Sequence, residues 1–343
     1  MNIRQNVSLK DYSTMRLGGD ARYLGEANNI EELHEFINWG GRTGISYLVI
    51  GHGSNIVWQD GGYEGLVIVN KIKGFTVRQI GGTDSAMFSF GAGEDWDEAI
   101  RKTVDMGYTG IEKLSLIPGT VGGAPVQNIG AYGCEAKDTL VSVRAYDNQA
   151  QDFVTITNEQ CKFGYRTSIF NTTSKGRYII VSVTFKLSKD NPKPPFYPSL
   201  QKFLDQYHIK SFTPLIIRNA VIAVRSEKLP DPRYVANNGS FFGNPIVDKS
   251  ILNQLLVNYK NIPNWPAPEN KVKLSAGWLI EHAGFSKGYR DSETGVGLWK
   301  NHPLVIVNEN AKSTSDLLRF RQKIIIAVKN KFGVTLTQEP ELI

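Results

Sequence analysis

The chain has 343 residues, 41% hydrophobic and 21% charged, a balance that excludes a disordered protein and leaves room for two or three domains with ample core. Its net charge of +6 and pI near 9.1 suit an anionic ligand, but the basic residues are dispersed and no nucleic-acid motif is present, so a small phosphorylated ligand fits better than nucleic acid. Cys134 and Cys161 lack metal-ligand spacing, residues 1–10 lack a signal-peptide core, and no apolar run approaches the roughly 20 residues of a membrane span, so neither a metal nor a membrane is expected and the expected location is cytoplasmic.

Residues 1–20 read as a polar, turn-rich segment. Leu33, Phe36 and Ile37 recur on one helical face, predicting a helix over 31–39 that Gly40 and Gly41 end. The apolar run at 47–50 predicts a short buried strand leading into G-H-G-S-N at 51–55. A strand followed by G-x-G-x-x invites a dinucleotide-binding turn, but the third glycine, the following helix and the G-K-[ST] of a P-loop are all missing. What remains is a tight turn whose backbone N–H groups, with the Ser54 hydroxyl and the Asn55 amide, can seat a pyrophosphate. His52 reads as a turn residue beside it.

Strands are expected at 65–70, 75–80 and 86–91, then an amphipathic helix at 95–106 stopped by Gly107. Residues 110–133 concentrate Gly119, Gly122, Gly123, Gly130 and Gly133 around Pro118 and Pro125. So many glycines mean that backbone passes where no Cβ fits or takes a positive φ, beside a ligand or within a purely structural loop. Gln127 and Asn128 add orientable donors and acceptors. Strands follow at 141–146, 153–156 and 178–187, completing an α+β pattern. Between the last two lies F-G-Y-R-T-S-I-F at 163–170, where Arg166 can hold a carboxylate or phosphate, although alone it reads as a surface or salt-bridged arginine.

The proline-rich stretch 190–198 reads as a loop carrying Tyr197. Thr213 and Pro214 open a helix running to about Lys228, and L-P-D-P at 229–232 stops it near a domain boundary. In N-N-G-S-F-F-G-N-P at 237–245, Ser240 is not a G-x-S-x-G nucleophile; proton donation is open to it, as is a plain turn role. Helices are expected at 249–259 and 275–283, a strand at 303–308, a long helix from the Ser313/Asp316 capping box to Gly333, and a final strand at 334–337. In the terminal E-P-E, Glu341 by itself reads as a solvated carboxylate.

Taken together and in this order, G-H-G-S-N, I-P-G-T-V-G-G-A-P-V-Q-N-I-G-A-Y-G, F-G-Y-R-T-S-I-F, N-G-S-F-F-G-N-P and E-P-E resemble the UDP-N-acetylenolpyruvoylglucosamine reductases, over residues 9–341. The resemblance implies an α+β fold: an FAD-binding domain of the p-cresol methylhydroxylase (PCMH) type built from two α+β subdomains, 1–70 and 71–212. A separate α+β substrate-binding domain, 213–325, would close over the substrate, and a C-terminal strand and tail, 326–343, would return to the active site. It implies noncovalent FAD held at Gly51, His52, Gly53, Ser54, Asn55, Ile56, Pro118, Gly119, Thr120, Gly122, Gly123, Gln127, Asn128, Gly130, Ala131 and Arg225. NADPH is the implied reductant, and UDP-N-acetylglucosamine enolpyruvate the implied substrate, reduced to UDP-N-acetylmuramate for peptidoglycan synthesis.

By the same resemblance, Arg166 and a protonated Glu341 act on the substrate carboxylate, and Ser240 protonates the carbon next to the one that receives the hydride. Tyr197, on a mobile lid, and Lys228 would contact the diphosphate, with Asn244, Tyr132 and Lys273 as further substrate contacts. The chain stops two residues beyond E-P-E, so its terminal carboxylate is expected near Glu341, raising that side chain's pKa or leaving the tail loose. The alternatives are another PCMH-type flavin oxidoreductase of a small molecule and, from the basic pI, a nucleotide or nucleic-acid binding module.

Overall fold

The structure is a computed structural model that describes every residue from Met1 to Ile343. The chain divides into two units, each gathered from separated stretches. Unit 1 comprises Met1–Val7, Ala21–His52 and Glu64–Glu227; unit 2 comprises Ser8–Asp20, Gly53–Tyr63 and Lys228–Ile343. Helices and sheets are mixed in both, as the α+β pattern requires.

Unit 1 holds two larger sheets and the two-stranded pair Gly130–Ala131 with Cys134–Glu135. In the four-stranded one the order is Ile3–Ser8, Asp20–Ala27, Tyr63–Asn70, Tyr47–Ile50, the last two pairing in parallel with Tyr47 opposite Leu66. The five-stranded sheet is antiparallel, in the order Asp152–Thr157, Leu140–Asp147, Tyr178–Ser188, Ser85–Gly91, Phe75–Gln79. Helix Ile30–Thr43 lays Leu33, Phe36 and Ile37 against Leu66, Ile68, Ile179 and Val181, joining the two sheets in one core. Helix Trp96–Asp105 buries Trp96, Ile100 and Val104 against Phe88, Val183 and Phe185. Each fully buried side chain of this size contributes about 1.5–3 kcal/mol relative to exposure.

Unit 2 packs helices Lys249–Asn258, Ala276–His282 and Thr314–Phe332 with a four-stranded sheet, order Ala236–Ser240, His302–Asn308, Val296–Trp299, Arg290–Asp291, and a three-stranded sheet, order Ile246–Asp248, Lys271–Leu274, Asn264–Ala267. Its core runs from Met15 and Leu17 through Leu279, Leu298 and Ile306 to Phe320 and Ile324. A parallel pair, Ile56–Val57 with Glu341–Leu342, ties the end of the chain to the segment after G-H-G-S-N.

The sequence expectations named no element for strands Asp20–Ala27, Ala236–Ser240, Ile246–Asp248, Asn264–Ala267, Lys271–Leu274, Arg290–Asp291 and Val296–Trp299, and the elements depart from them elsewhere too. Residues 1–20 are not merely turns: they supply strand Ile3–Ser8 and the 3-10 turn Leu9–Tyr12. The first helix runs past Gly40 and Gly41 to Thr43, because the left-handed cap is Gly44, whose φ is 68°. A helix at Pro198–Gln206 follows the proline-rich loop, with Pro198 in the first turn, where a missing N–H costs nothing. Residues 334–337 alternate buried and exposed but form no strand; pairing of the tail begins only at Thr337 and Gln338. The capping box at Ser313 and Asp316 is present as read, as is Thr213 accepting from the Ile216 N–H at 3.3 Å.

Candidate active site

In unit 1 the glycine-rich segment is sewn to residues 92–96. The Val121 N–H donates to the Glu94 carbonyl at 2.9 Å, Gly122 N–H to the Ala92 carbonyl at 2.8 Å, and Trp96 N–H to the Gly119 carbonyl at 3.1 Å. A Cβ on Gly122 would lie 2.7 Å from the Ala92 Cβ, and one on Gly51 would lie 2.5 Å from the Thr120 Oγ1. These two glycines are demanded by the protein's own packing, and the second contact brings two separated glycine motifs together.

Leu116, Asn128, Tyr132 and Arg166 all take left-handed backbone, with φ of 60°, 46°, 51° and 57°. Such residues cost roughly 1–3 kcal/mol each and collect at functional sites. Arg166 Nη2 donates to the Gly130 carbonyl at 2.9 Å, and a Cβ on Gly130 would lie 3.1 Å from Arg166 Nη1. The turn beneath it is closed by Gly164 N–H donating to the Thr167 carbonyl at 2.9 Å and by Asn171 Nδ2 donating to the Arg166 carbonyl at 3.1 Å. Tyr132 meets Tyr197 edge to face at 5.8 Å; Tyr197 caps helix Pro198–Gln206 and is 41% exposed. Burial raises the Tyr132 pKa above the usual phenol value.

Arg225 Nη2 donates to the Leu116 carbonyl at 3.3 Å, while its Nε is buried with no protein partner. Burial lowers its pKa from the usual arginine value, and Tyr132 and Asp97 oppose that shift. Leu116 is held from its other side too: its N–H donates to Asp97 Oδ1 at 2.6 Å. Asp97 in turn accepts both arms of the Arg218 guanidinium, at 2.6 and 2.7 Å, and Arg218 also donates to Ser115 Oγ at 2.8 Å. Burial pushes the Asp97 pKa up, but Arg218 and the Leu116 N–H outweigh it and hold the carboxylate below its usual value.

The Asn128 side chain is bonded within the protein. It is fully buried, and its amide donates to Glu135 Oε2 at 3.0 Å and the Gly164 carbonyl at 2.9 Å while accepting from the Lys137 N–H at 3.0 Å. Both its donors serve the protein, so its side chain fixes the loop rather than reaching a ligand. His52 ends its stretch of unit 1; burial lowers its pKa, opposed by Asp95, whose Oδ2 lies 3.8 Å from Nδ1. Pro118, Gly123, Gln127 and Ala131 lie along the same glycine-rich segment.

In unit 2 the tail runs between two other segments and is bonded to each through its backbone. Gly243 N–H donates to the Thr337 carbonyl at 3.0 Å and Glu339 N–H to the Phe241 carbonyl at 2.9 Å, pairing the residues after Ser240 with the tail. Glu341 N–H donates to the Asn55 carbonyl at 2.9 Å, Ile343 N–H to the Val57 carbonyl at 3.0 Å, and Gln59 N–H to the Ile343 carbonyl at 2.7 Å. The tail is therefore pinned rather than loose, and Glu341 lies opposite Ile56. Gly53, at φ 68°, sits against the Tyr12 carbonyl where no Cβ fits.

Asn244 accepts the Ala276 N–H at 2.9 Å, the start of helix Ala276–His282. Lys273 stands mid-sheet between Ile246 and Trp265, its ammonium 5.8 Å over the Trp265 ring. Lys228 is the last residue of helix Pro214–Lys228 and half-buried. Of the residues proposed to act on substrate, Arg166, Tyr132 and Tyr197 belong to unit 1, and Ser240, Glu341, Lys228, Asn244 and Lys273 to unit 2.

Asp97, Leu116 and Arg218 were not anticipated. The signal was present for Arg218, which shares the apolar helical spacing of Ile217, Val221 and Val224 and is seven residues before Arg225. A charged residue on a buried helix face needs a partner.

Residues 21–151 match the family model described as FAD binding domain, and residues 231–343 the one described as UDP-N-acetylenolpyruvoylglucosamine reductase, C-terminal domain. The reductase of that name from Pseudomonas syringae pv. tomato is 37% identical over 342 residues, covering 100% of this chain and 99% of the relative. That of Neisseria gonorrhoeae is 39% identical, covering 98% of this chain and 96% of the relative. The crystal structure of the Thermus caldophilus reductase shares the fold with a TM-score of 0.68 at 24% identity, covering 100% of this chain and 99% of that one. At these identities over its whole length, the chain belongs to the UDP-N-acetylenolpyruvoylglucosamine reductase family.

Proposed function

We propose that the chain reduces the enolpyruvyl group of UDP-N-acetylglucosamine enolpyruvate to give UDP-N-acetylmuramate, with noncovalent FAD and with NADPH as reductant, in peptidoglycan precursor synthesis. The full-length similarity to reductases of that name carries the reading. No helix is long and apolar enough to cross a membrane, and a cytoplasmic site of action accords with that.

The residues present fit FAD. The Arg225 guanidinium is desolvated, with a buried Nε that no protein atom satisfies, and two glycine motifs meet at Gly51 and Thr120. Residues 51–56, Pro118, Gly119, Thr120, Gly122, Gly123, Gln127, Gly130, Ala131 and Arg225 would hold it, Asn128 acting through the loop it braces. When bound, FAD supplies to the substrate methylene carbon the hydride that NADPH provides. Arg166 stabilises the charge that grows on the substrate carboxylate by charge-assisted hydrogen bonds, and Glu341 in its protonated form donates to the same group. Ser240 delivers a proton to the adjacent carbon, so a hydride and a proton together saturate the double bond. Lys228 and Tyr197 bind the diphosphate, and Tyr132, Asn244 and Lys273 orient the nucleotide sugar.

An anaerobic absorbance titration tests the reading. The purified protein should show a flavin band that bleaches with NADPH and returns with the enolpyruvyl substrate. Ser240→Ala should leave bleaching nearly intact and slow the return by roughly a hundredfold or more, the usual scale for one general acid. Equal losses in both half-reactions would sink the proton-donor role, and a band that never returns in the wild-type protein would discard the substrate.

A further inference from the structure

Strand Ala236–Ser240 does not reach Ser240 in regular register. Ala236 lies opposite Asn308 and Asn237 opposite Val307, but Ser240 lies opposite Val305, which inserts one extra residue at Asn238 and Gly239. Because side chains alternate along a strand, a one-residue bulge turns every later side chain to the other face. The direction in which Ser240 presents its hydroxyl is thus set by this bulge, where Gly239 takes a φ of 69°.

Asn238 sits within it and is 7% exposed. Its Nδ2 lies 3.1 Å from Thr14 Oγ1, 3.1 Å from the Ser54 carbonyl and 3.3 Å from the Ile56 carbonyl. Carbonyl oxygens only accept, so the amide nitrogen must face them, and the amide oxygen is left buried with no partner. A side chain selected only to fill space would not bury an unsatisfied acceptor. Ser54 and Ile56 flank Asn55, whose carbonyl accepts the Glu341 N–H. The segment 54–57 therefore receives the tail carrying Glu341 along its backbone and the bulge carrying Ser240 through Asn238.

We propose that Asn238 is the positioning residue for Ser240: it locks the bulge onto residues 54–56 and so fixes the proton donor against the same segment that fixes Glu341. The proposal rests on the roles assigned above to Ser240 and Glu341. It concerns delivery of the proton, not flavin binding or the reaction with NADPH.

Asn238→Asp keeps the shape and places an acceptor against two carbonyls; Asn238→Ala removes the tie and the unsatisfied oxygen together. In stopped-flow absorbance, both variants should retain flavin and bleach with NADPH within twofold of wild type, while reoxidation by the enolpyruvyl substrate slows at least tenfold. The solvent deuterium isotope effect on reoxidation should increase, a signature that loss of stability alone does not produce. Wild-type reoxidation, equal slowing of both half-reactions, or failure of both variants to fold overturns the proposal. Ser240→Ala runs alongside: if it reoxidises at the wild-type rate, the reading beneath the proposal falls and the proposal with it, whereas slow Ser240→Ala beside fast Asn238→Asp overturns the proposal alone.

Discussion

The glycine-rich region of unit 1 and the tail of unit 2, bonded to a segment on either side, fix their residues by opposite means. In unit 1 a left-handed Leu116 is held on both sides by side chains, its N–H by Asp97 and its carbonyl by Arg225, with Arg218 behind Asp97. In unit 2 the tail and the segment after Ser240 are held by main-chain bonds between residues 55–59, 241–243 and 337–343. Geometry held by charged side chains is lost with one substitution. Geometry held by backbone tolerates substitution and yields to a change of chain length or register.

The largest effect should come from breaking the charged clamp. Asp97→Ala leaves Arg218, whose side chain is 7% exposed, without its carboxylate, and removing one partner of a buried pair costs about 3–5 kcal/mol. Denaturant unfolding should register that loss together with a reduced flavin content, as Leu116 and then Arg225 lose their anchor. Adding Arg218→Met should recover much of the stability but not the flavin affinity, because the apolar replacement no longer holds Leu116. Stability of Asp97→Ala within about 1 kcal/mol of wild type would break the contrast, given that typical surface pairs are worth no more.

The backbone-held side is probed by shortening the chain. Removing Leu342 and Ile343 deletes the bonds from Ile343 to Val57 and from Gln59 to Ile343, a loss of about 1–2 kcal/mol at roughly 1 kcal/mol per net hydrogen bond. With Glu341 left at a free end, reoxidation by substrate should slow roughly tenfold to a hundredfold, the scale of an ångström misplacement. Reduction by NADPH should be unaffected. Leu342→Ala, at a side chain 37% exposed, keeps every main-chain bond and should change neither rate; if it matches the deletion, the tail is held by side-chain packing after all.

The same contrast explains what the sequence discloses. Elements with a strong period or explicit caps, such as the helix begun at Ser313 and Asp316 or the alternating strand Tyr178–Ser188, are readable because their cause is local. The candidate site is readable as motifs, since glycines with a Cβ-excluding neighbour must be glycine in any sequence of this fold. What stays hidden is pairing between distant stretches. Nothing local in E-P-E-L-I announces a parallel partner at Ile56–Val57. Residues 334–337 carry a strand's alternation without a ladder, so periodicity reports which side is buried and not who pairs. The bracing by Asn128 is hidden for the same reason: its partners Gly164 and Lys137 lie outside its own segment.

Whether reliance on charged side chains belongs to the site or to all of unit 1 is tested by Asp147, the last residue of strand Leu140–Asp147, and Arg177, just before strand Tyr178–Ser188. Arg177 donates to both Asp147 oxygens, at 2.9 and 2.6 Å. That guanidinium, against the opposing effect of burial, holds the carboxyl down at about 2. An unfolded aspartate titrates near 3.9, roughly. The folded form thus binds the proton less readily, so the pair's contribution is complete above about pH 4 and is lost as the pH falls toward 2. Asp147→Asn should leave both half-reactions unchanged at neutral pH and shift the unfolding midpoint only modestly. The difference between its stability and that of the wild type should shrink steadily from pH 4 to 2. A constant difference across that window would mean that packing, not charge, is what Asp147 supplies, and would confine the charged style of bracing to the glycine-rich region.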